Sequence, residues 1–113
     1  MTPRELLAAE QASALALLAG LEREFTGIVE SSGQAGTDDE HDPEGATLAF
    51  ERQHTAALLD QARAQLIAVD DALRRLADGG YGTCERCGRP IGSERLDARP
   101  TATTCVTCAS TRH

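Results

Sequence analysis

Apolar side chains at Leu7, Ala14, Leu21 and Ile28 recur every seven residues, and Leu17, Leu18 and Phe25 fill the positions between them. Seven residues are close to two helical turns, so the pattern predicts one long helix with a single apolar seam, running to about residue 31. Its start is marked by Thr2 and Glu5, which can form a capping box in which each side chain satisfies the other's free amide. Pro3 sits at the first helical position, where its missing N–H costs nothing. A second seam follows, with Leu48, Thr55, Ala62, Val69 and Leu76 on one position and Leu59, Leu66 and Leu73 on the other, interrupted near its start by Arg52. About 33 residues at 1.5 Å each predict a helix roughly 50 Å long. Gly79 and Gly80 should end it, because glycine accepts the left-handed backbone angles of a helix terminus.

Between the two seams, from Ser31 to Gly45, the periodicity vanishes and Ser, Gly and acidic residues take over, as in a connection between antiparallel helices. Asp42, Pro43 and Glu44 then have the order of a fresh helix start: a cap, a proline, and an acid near the positive end of the helix dipole. The expected fold is all-α, an antiparallel two-helix coiled-coil hairpin over residues 1–80 with a tip loop at about 32–45, followed by a small module at 81–113.

Composition narrows this further. The chain has 113 residues, 3% aromatic and without Trp, so Leu and Ala must do most of the packing. That suits helices meeting side to side better than a thick globular core. A formal charge of −7 argues against binding bare DNA or RNA, since that affinity comes largely from Lys and Arg displacing phosphate counterions. A protein partner with a basic surface or cavity fits better. The segment Gly36–Thr47 holds Asp38, Asp39, Glu40, Asp42 and Glu44 with no Lys or Arg to pair them. Such a loop reads either as a solvated linker or as a contact surface, and Phe50, just beyond it and off the seam, favours contact.

The apolar run Ala12–Leu21 follows Glu5 and Glu10 without a basic cluster and is too short to span a bilayer. A cytoplasmic protein without membrane attachment is expected, and in that compartment cysteines point to metal before disulfides. Cys84 and Cys87 are separated by two residues, as are Cys105 and Cys108, and 17 residues lie between the pairs. This spacing is that of a four-cysteine zinc site, with a thiol/disulfide switch or another metal as the alternatives. Zinc held by four thiolates has no open position for water or substrate, so one structural ion is implied and no catalysis. Arg86, Arg89, Arg95 and Arg99 lie around the cysteines and either offset the site's negative charge or face a partner. His41, His54 and His113 are scattered and read as surface residues, and no nucleophile, metalloprotease, P-loop or dinucleotide fingerprint occurs.

The stretch YGTCERCGRPIGSERLDARPTATTC..C resembles the zinc-finger signature of the DksA/TraR family, in its Tyr-Gly before the first Cys, its Gly after the second, and its Ile-Gly, Arg-Leu and Ala-x-Pro spacer. The resemblance continues more weakly through the second helix into the loop, over roughly residues 36–109. It implies a transcription regulator that binds RNA polymerase and inserts an acidic coiled-coil tip into the secondary channel. It places the tip at Asp42, Glu44, Ala46 and Thr47, with Glu44-x-Ala46-Thr47 resembling the family's Asp-x-Ala-(Ser/Thr). The arginines near the finger become candidate contacts to the channel rim. A monomer is expected. Helix two has no Lys-rich face of the kind associated with the family's nucleotide-alarmone site, so a response to that alarmone is not implied. The rival readings are a zinc-finger DNA-binding module built on the arginines and a structural or adaptor zinc protein paired through its heptads.

Overall fold

A computed structural model describes the backbone of residues 1–34 and 43–111 and the side chains of 1–28 and 46–111. Four helices follow one another: α1, Pro3–Gln34; α2, Pro43–Asp78; α3, Ser93–Ala98; and α4, Val106–Ser110. Among the described residues there is no strand, only an isolated antiparallel bridge between Thr83 and Pro90. The fold is all-α, two long helices followed by a small four-cysteine module.

The capping box forms. The Thr2 amide donates to Oε1 of Glu5 at 2.9 Å, and the Glu5 amide donates to the Thr2 hydroxyl at 3.2 Å. The amide and hydroxyl of Thr2 hold the Glu5 carboxyl below its ordinary pKa, because both favour its charged form. At the other end of α2, Gly79 takes a φ of 86° and the Gly80 amide donates to the Arg75 carbonyl at 2.9 Å. This is the Schellman pattern, in which a left-handed glycine turns the chain so that a late carbonyl still finds a donor.

The chain divides into two compact units, one of Met1–Ser13 with Gln65–His113 and one of Ala14–Ala64. In the first, Leu7 packs against Val69 and Ala72, with Leu73, Leu76 and Tyr81 around them. Gln11 donates to Asp70, and because Leu7 meets Val69 and Ala72 whereas Glu10, three residues on, accepts from Gln65, the two helices run antiparallel there. In the second, Leu21 packs against Leu59 and Ala62, joined by Leu18, Phe25 and Leu58.

Leu17 corrects the expected seam: it is 56% exposed, whereas Leu18 beside it packs inward. Both leucines are apolar, and the choice between them depends on whether the seam steps by three or four residues after Ala14. The partner helix selects the step of four, which leaves Leu17 about 100° away around the helix. The pattern on α1 therefore runs Leu7, Gln11, Ala14, Leu18, Leu21, Phe25.

A paired substitution checks this seam. Leu7 is fully buried, so Leu7→Ala should lower unfolding free energy by about 2–5 kcal/mol through lost burial and a residual cavity. Leu17→Ala should stay within about 0.5 kcal/mol of the parent. Thermal or urea unfolding of both variants reads the difference directly, and equal losses would invalidate the assigned register.

Candidate metal centre

The first cysteine pair lies on a tight turn just after α2. The Cys84 amide donates to the Arg89 carbonyl at 2.8 Å, and the Gly88 amide donates to the Cys84 carbonyl at 3.0 Å. Gly88 has a φ of 75°, which a side chain would strain, and this lets the chain double back immediately after Cys87. The second pair uses a helix start: Cys105 precedes α4 and Cys108 lies within its first turn. The Glu85 amide donates to the Thr103 carbonyl at 2.9 Å, joining the two knuckles. Beneath them, Ile91 and Ala102 are buried with Cys84, and Leu96 packs against the group.

These turns bring the four sulfurs within 4.8 Å of one another. Cys87 Sγ and Cys105 Sγ stand 3.8 Å apart. A tetrahedral zinc with Zn–S bonds of about 2.3 Å requires sulfur separations of about 3.8 Å, so the donor set and its spacing fit this ion. Backbone amides favour negative charge at one sulfur of each pair. Those of Cys105 and then Cys87 pull the Cys84 thiol down to about 6. The Cys108 amide lowers Cys105. Cys108 itself is pushed up to about 12, because its proton is held between the Cys105 and Cys84 sulfurs. The site is one for a single structural zinc ion, which when bound replaces the thiol protons and leaves no ligand position open.

The four arginines separate into two kinds. Arg86 donates to the carbonyls of Cys108 and Thr111 at 3.5 and 3.3 Å, and Arg95 donates through Nε to the Thr104 carbonyl at 2.8 Å. Both therefore hold the finger's own backbone, around the second cysteine pair. Arg89 and Arg99 are exposed. Two residues that sequence reasoning missed also brace the module. Tyr81 donates its hydroxyl to the Pro100 carbonyl at 2.8 Å, and burial raises its pKa above the ordinary value. Arg75, from the last turn of α2, donates to the carbonyls of Gly80 and Thr83. The Tyr-Gly ahead of Cys84 hinted at the first, while nothing in the helical pattern singled out the second.

Of the tip residues, Asp42 lies outside the described residues, as do His41 and most of the acidic loop; His113 is also outside them. Glu44 belongs to the first turn of α2, but its side chain is likewise outside the described set. Ala46 and Thr47 are exposed on the same helix, and Phe50 is 71% exposed. Among the described residues no helix is long and apolar enough to cross a membrane.

Two long antiparallel helices followed by a four-cysteine zinc module define a class of helical zinc-finger proteins. Residues 79–112 match the prokaryotic dksA/traR C4-type zinc finger. The chain thus carries the zinc finger of the DksA/TraR family. It is 54% identical over 54 residues to the RNA polymerase-binding transcription factor DksA of Caulobacter vibrioides, an alignment covering 48% of this chain and 37% of that protein. It is 39% identical over 75 residues to the uncharacterized protein YteA of Bacillus subtilis, covering 66% of this chain and 31% of that one. The match thus spans about a third of the length of these curated relatives. The solved structure of transcription factor DksA2 from Pseudomonas aeruginosa is similar over 94% of this chain and 81% of its own, with 29% identity and a TM-score of 0.56.

Proposed function

We propose that this protein is a non-enzymatic bacterial transcription regulator that works in the cytoplasm by binding RNA polymerase and presenting its acidic tip in the polymerase secondary channel. The observation that carries this reading is the extent of the likeness: the finger matches in sequence, and the similarity to the DksA2 structure continues through both long helices. In this reading residues 1–80 form the arm and residues 81–113 the finger. Asp42 and Glu44 act at the channel's end, and Ala46 and Thr47 shape the tip around them. A chain with a net charge of −7 gains attraction on approaching a basic channel that it lacks in free solution.

Arg89 and Arg99, exposed on the finger, are the arginines best placed to touch the channel rim. The DNA-binding alternative is weakened because Arg86 and Arg95 are already engaged with internal carbonyls. Purified zinc-loaded protein should bind RNA polymerase core as a monomer and compete with a Gre-type cleavage factor for the same channel. Simultaneous binding of both would move the contact elsewhere on the polymerase, and absence of binding would favour an adaptor role.

A further inference from the structure

Arg75 reaches from the last turn of α2 to both neighbours of the first zinc ligand. Its Nη2 donates to the Thr83 carbonyl at 3.0 Å and to the Gly80 carbonyl at 3.4 Å, while Nη1 stands 4.0 Å from Oε1 of Glu85. Thr83 and Glu85 flank Cys84 directly. The backbone carbonyl of the same arginine accepts from the amides of Gly80 and Tyr81, so both ends of the residue are engaged where helix becomes finger. The side chain is 16% exposed, and Nη1 is buried with no hydrogen-bond partner. An incompletely satisfied guanidinium is costly to bury. Its position is understandable if the planar fork sets the path of the chain around Cys84, which a longer-range charge could not do.

We infer that Arg75 is a positioning residue for the zinc centre, clamping the Thr83–Glu85 segment to the end of α2 so that zinc retention and the order of that helix end are coupled. It touches no sulfur in this role. Tyr81 extends the same connection, since it packs on the Leu7, Val69 and Ala72 cluster and donates to the Pro100 carbonyl on the finger. Loosening the clamp frees Cys84 to leave the sulfur cluster, which is the first step in losing the ion. The inference concerns the isolated protein and stands or falls independently of any polymerase contact.

The test is the rate at which the zinc-loaded full chain gives up its metal to an excess of chromogenic chelator. Arg75→Gln should release zinc at least about 10-fold faster than the parent, the usual consequence of losing a partner that orients a metal ligand. Arg75→Lys keeps the charge without the fork and should fall between the two. Leu21→Ala, a core truncation in the other unit, serves as the stability control and should stay within about two-fold of the parent. Release from both Arg75 variants within about two-fold of the parent would overturn the clamp. So would equal acceleration by Leu21→Ala, since the effect would then be general loss of stability. Should Arg75→Gln not fold, Arg75→Lys decides the matter: faster release together with faster amide exchange at Cys84 and Glu85 supports the clamp, and no change in either refutes it.

Discussion

Removing zinc from this protein should unfold the finger while leaving most of the helical signal in place. Four described residues of the finger are buried, Cys84, Ile91, Pro100 and Ala102, and Leu96, Cys105 and Cys108 pack against the cluster. Such a cluster is too small to offset the ordering entropy of some thirty residues, at about 1–2 kcal/mol of backbone entropy each. Structural zinc contributes on the order of 10–16 kcal/mol of apparent binding energy in finger peptides, as much as the whole stability of many domains. The helices at stake are short. α3 and α4 have 6 and 5 residues against 32 and 36 in α1 and α2, so far-ultraviolet dichroism should fall only slightly.

The loss should be visible instead at Tyr81, the only tyrosine in a chain without Trp. Once the finger opens, its hydroxyl loses the Pro100 carbonyl and its ring loses cover, so its emission should change and its raised pKa should return toward the ordinary value of about 10. The sign of the accompanying pH effect follows. A phenol whose pKa is raised by folding stabilises the folded form fully below about 10, and that contribution disappears as pH climbs through the raised value. Chelation that left the finger amides dispersed in an NMR spectrum, with Tyr81 unchanged, would contradict a structural role for the ion.

The parts of this fold legible in the sequence are those determined locally. A capping box needs only Thr2 and Glu5, a Schellman end needs only Gly79 and its neighbours, and a tetrahedral site needs only two cysteine pairs at workable spacing. Each is written within a few residues. The choice between Leu17 and Leu18 was not legible, because both steps keep an apolar residue near the seam and the partner helix makes the selection. Arg75 was hidden for a similar reason. Along α2 it is an ordinary basic residue near a helix C-terminus, favoured there by the dipole alone. Its carbonyl partners come from a turn whose course depends on the finger. Arg86 and Arg95 illustrate the converse, since four arginines around an anionic centre look equivalent until the backbone shows which carbonyls lie within reach.

If the proposed tip mechanism holds, replacing Asp42 with Asn together with Glu44 with Gln should abolish regulation of transcription while zinc content and helicity stay at parental levels. Both substitutions keep side-chain size and remove only charge. Hydrogen bonds to charged groups contribute about 1.5–3 kcal/mol each, so if each proposed tip acid makes one such contact, losing both corresponds to at least roughly 100-fold. An exposed acid elsewhere provides the control. Asp60 has an 81% exposed side chain 3.7 Å from Arg63, and Asp60→Asn should leave transcription unchanged because a solvated pair of this kind is worth little. The parental effect should also weaken with rising salt more steeply than that of the double variant, since screening removes the attraction that the substitutions have already deleted. An in vitro transcription assay across salt concentrations carries all three comparisons. If the double variant regulates as the parent does, the acidic residues serve only to keep the arm solvated, and the exposed Phe50 becomes the next side chain to replace.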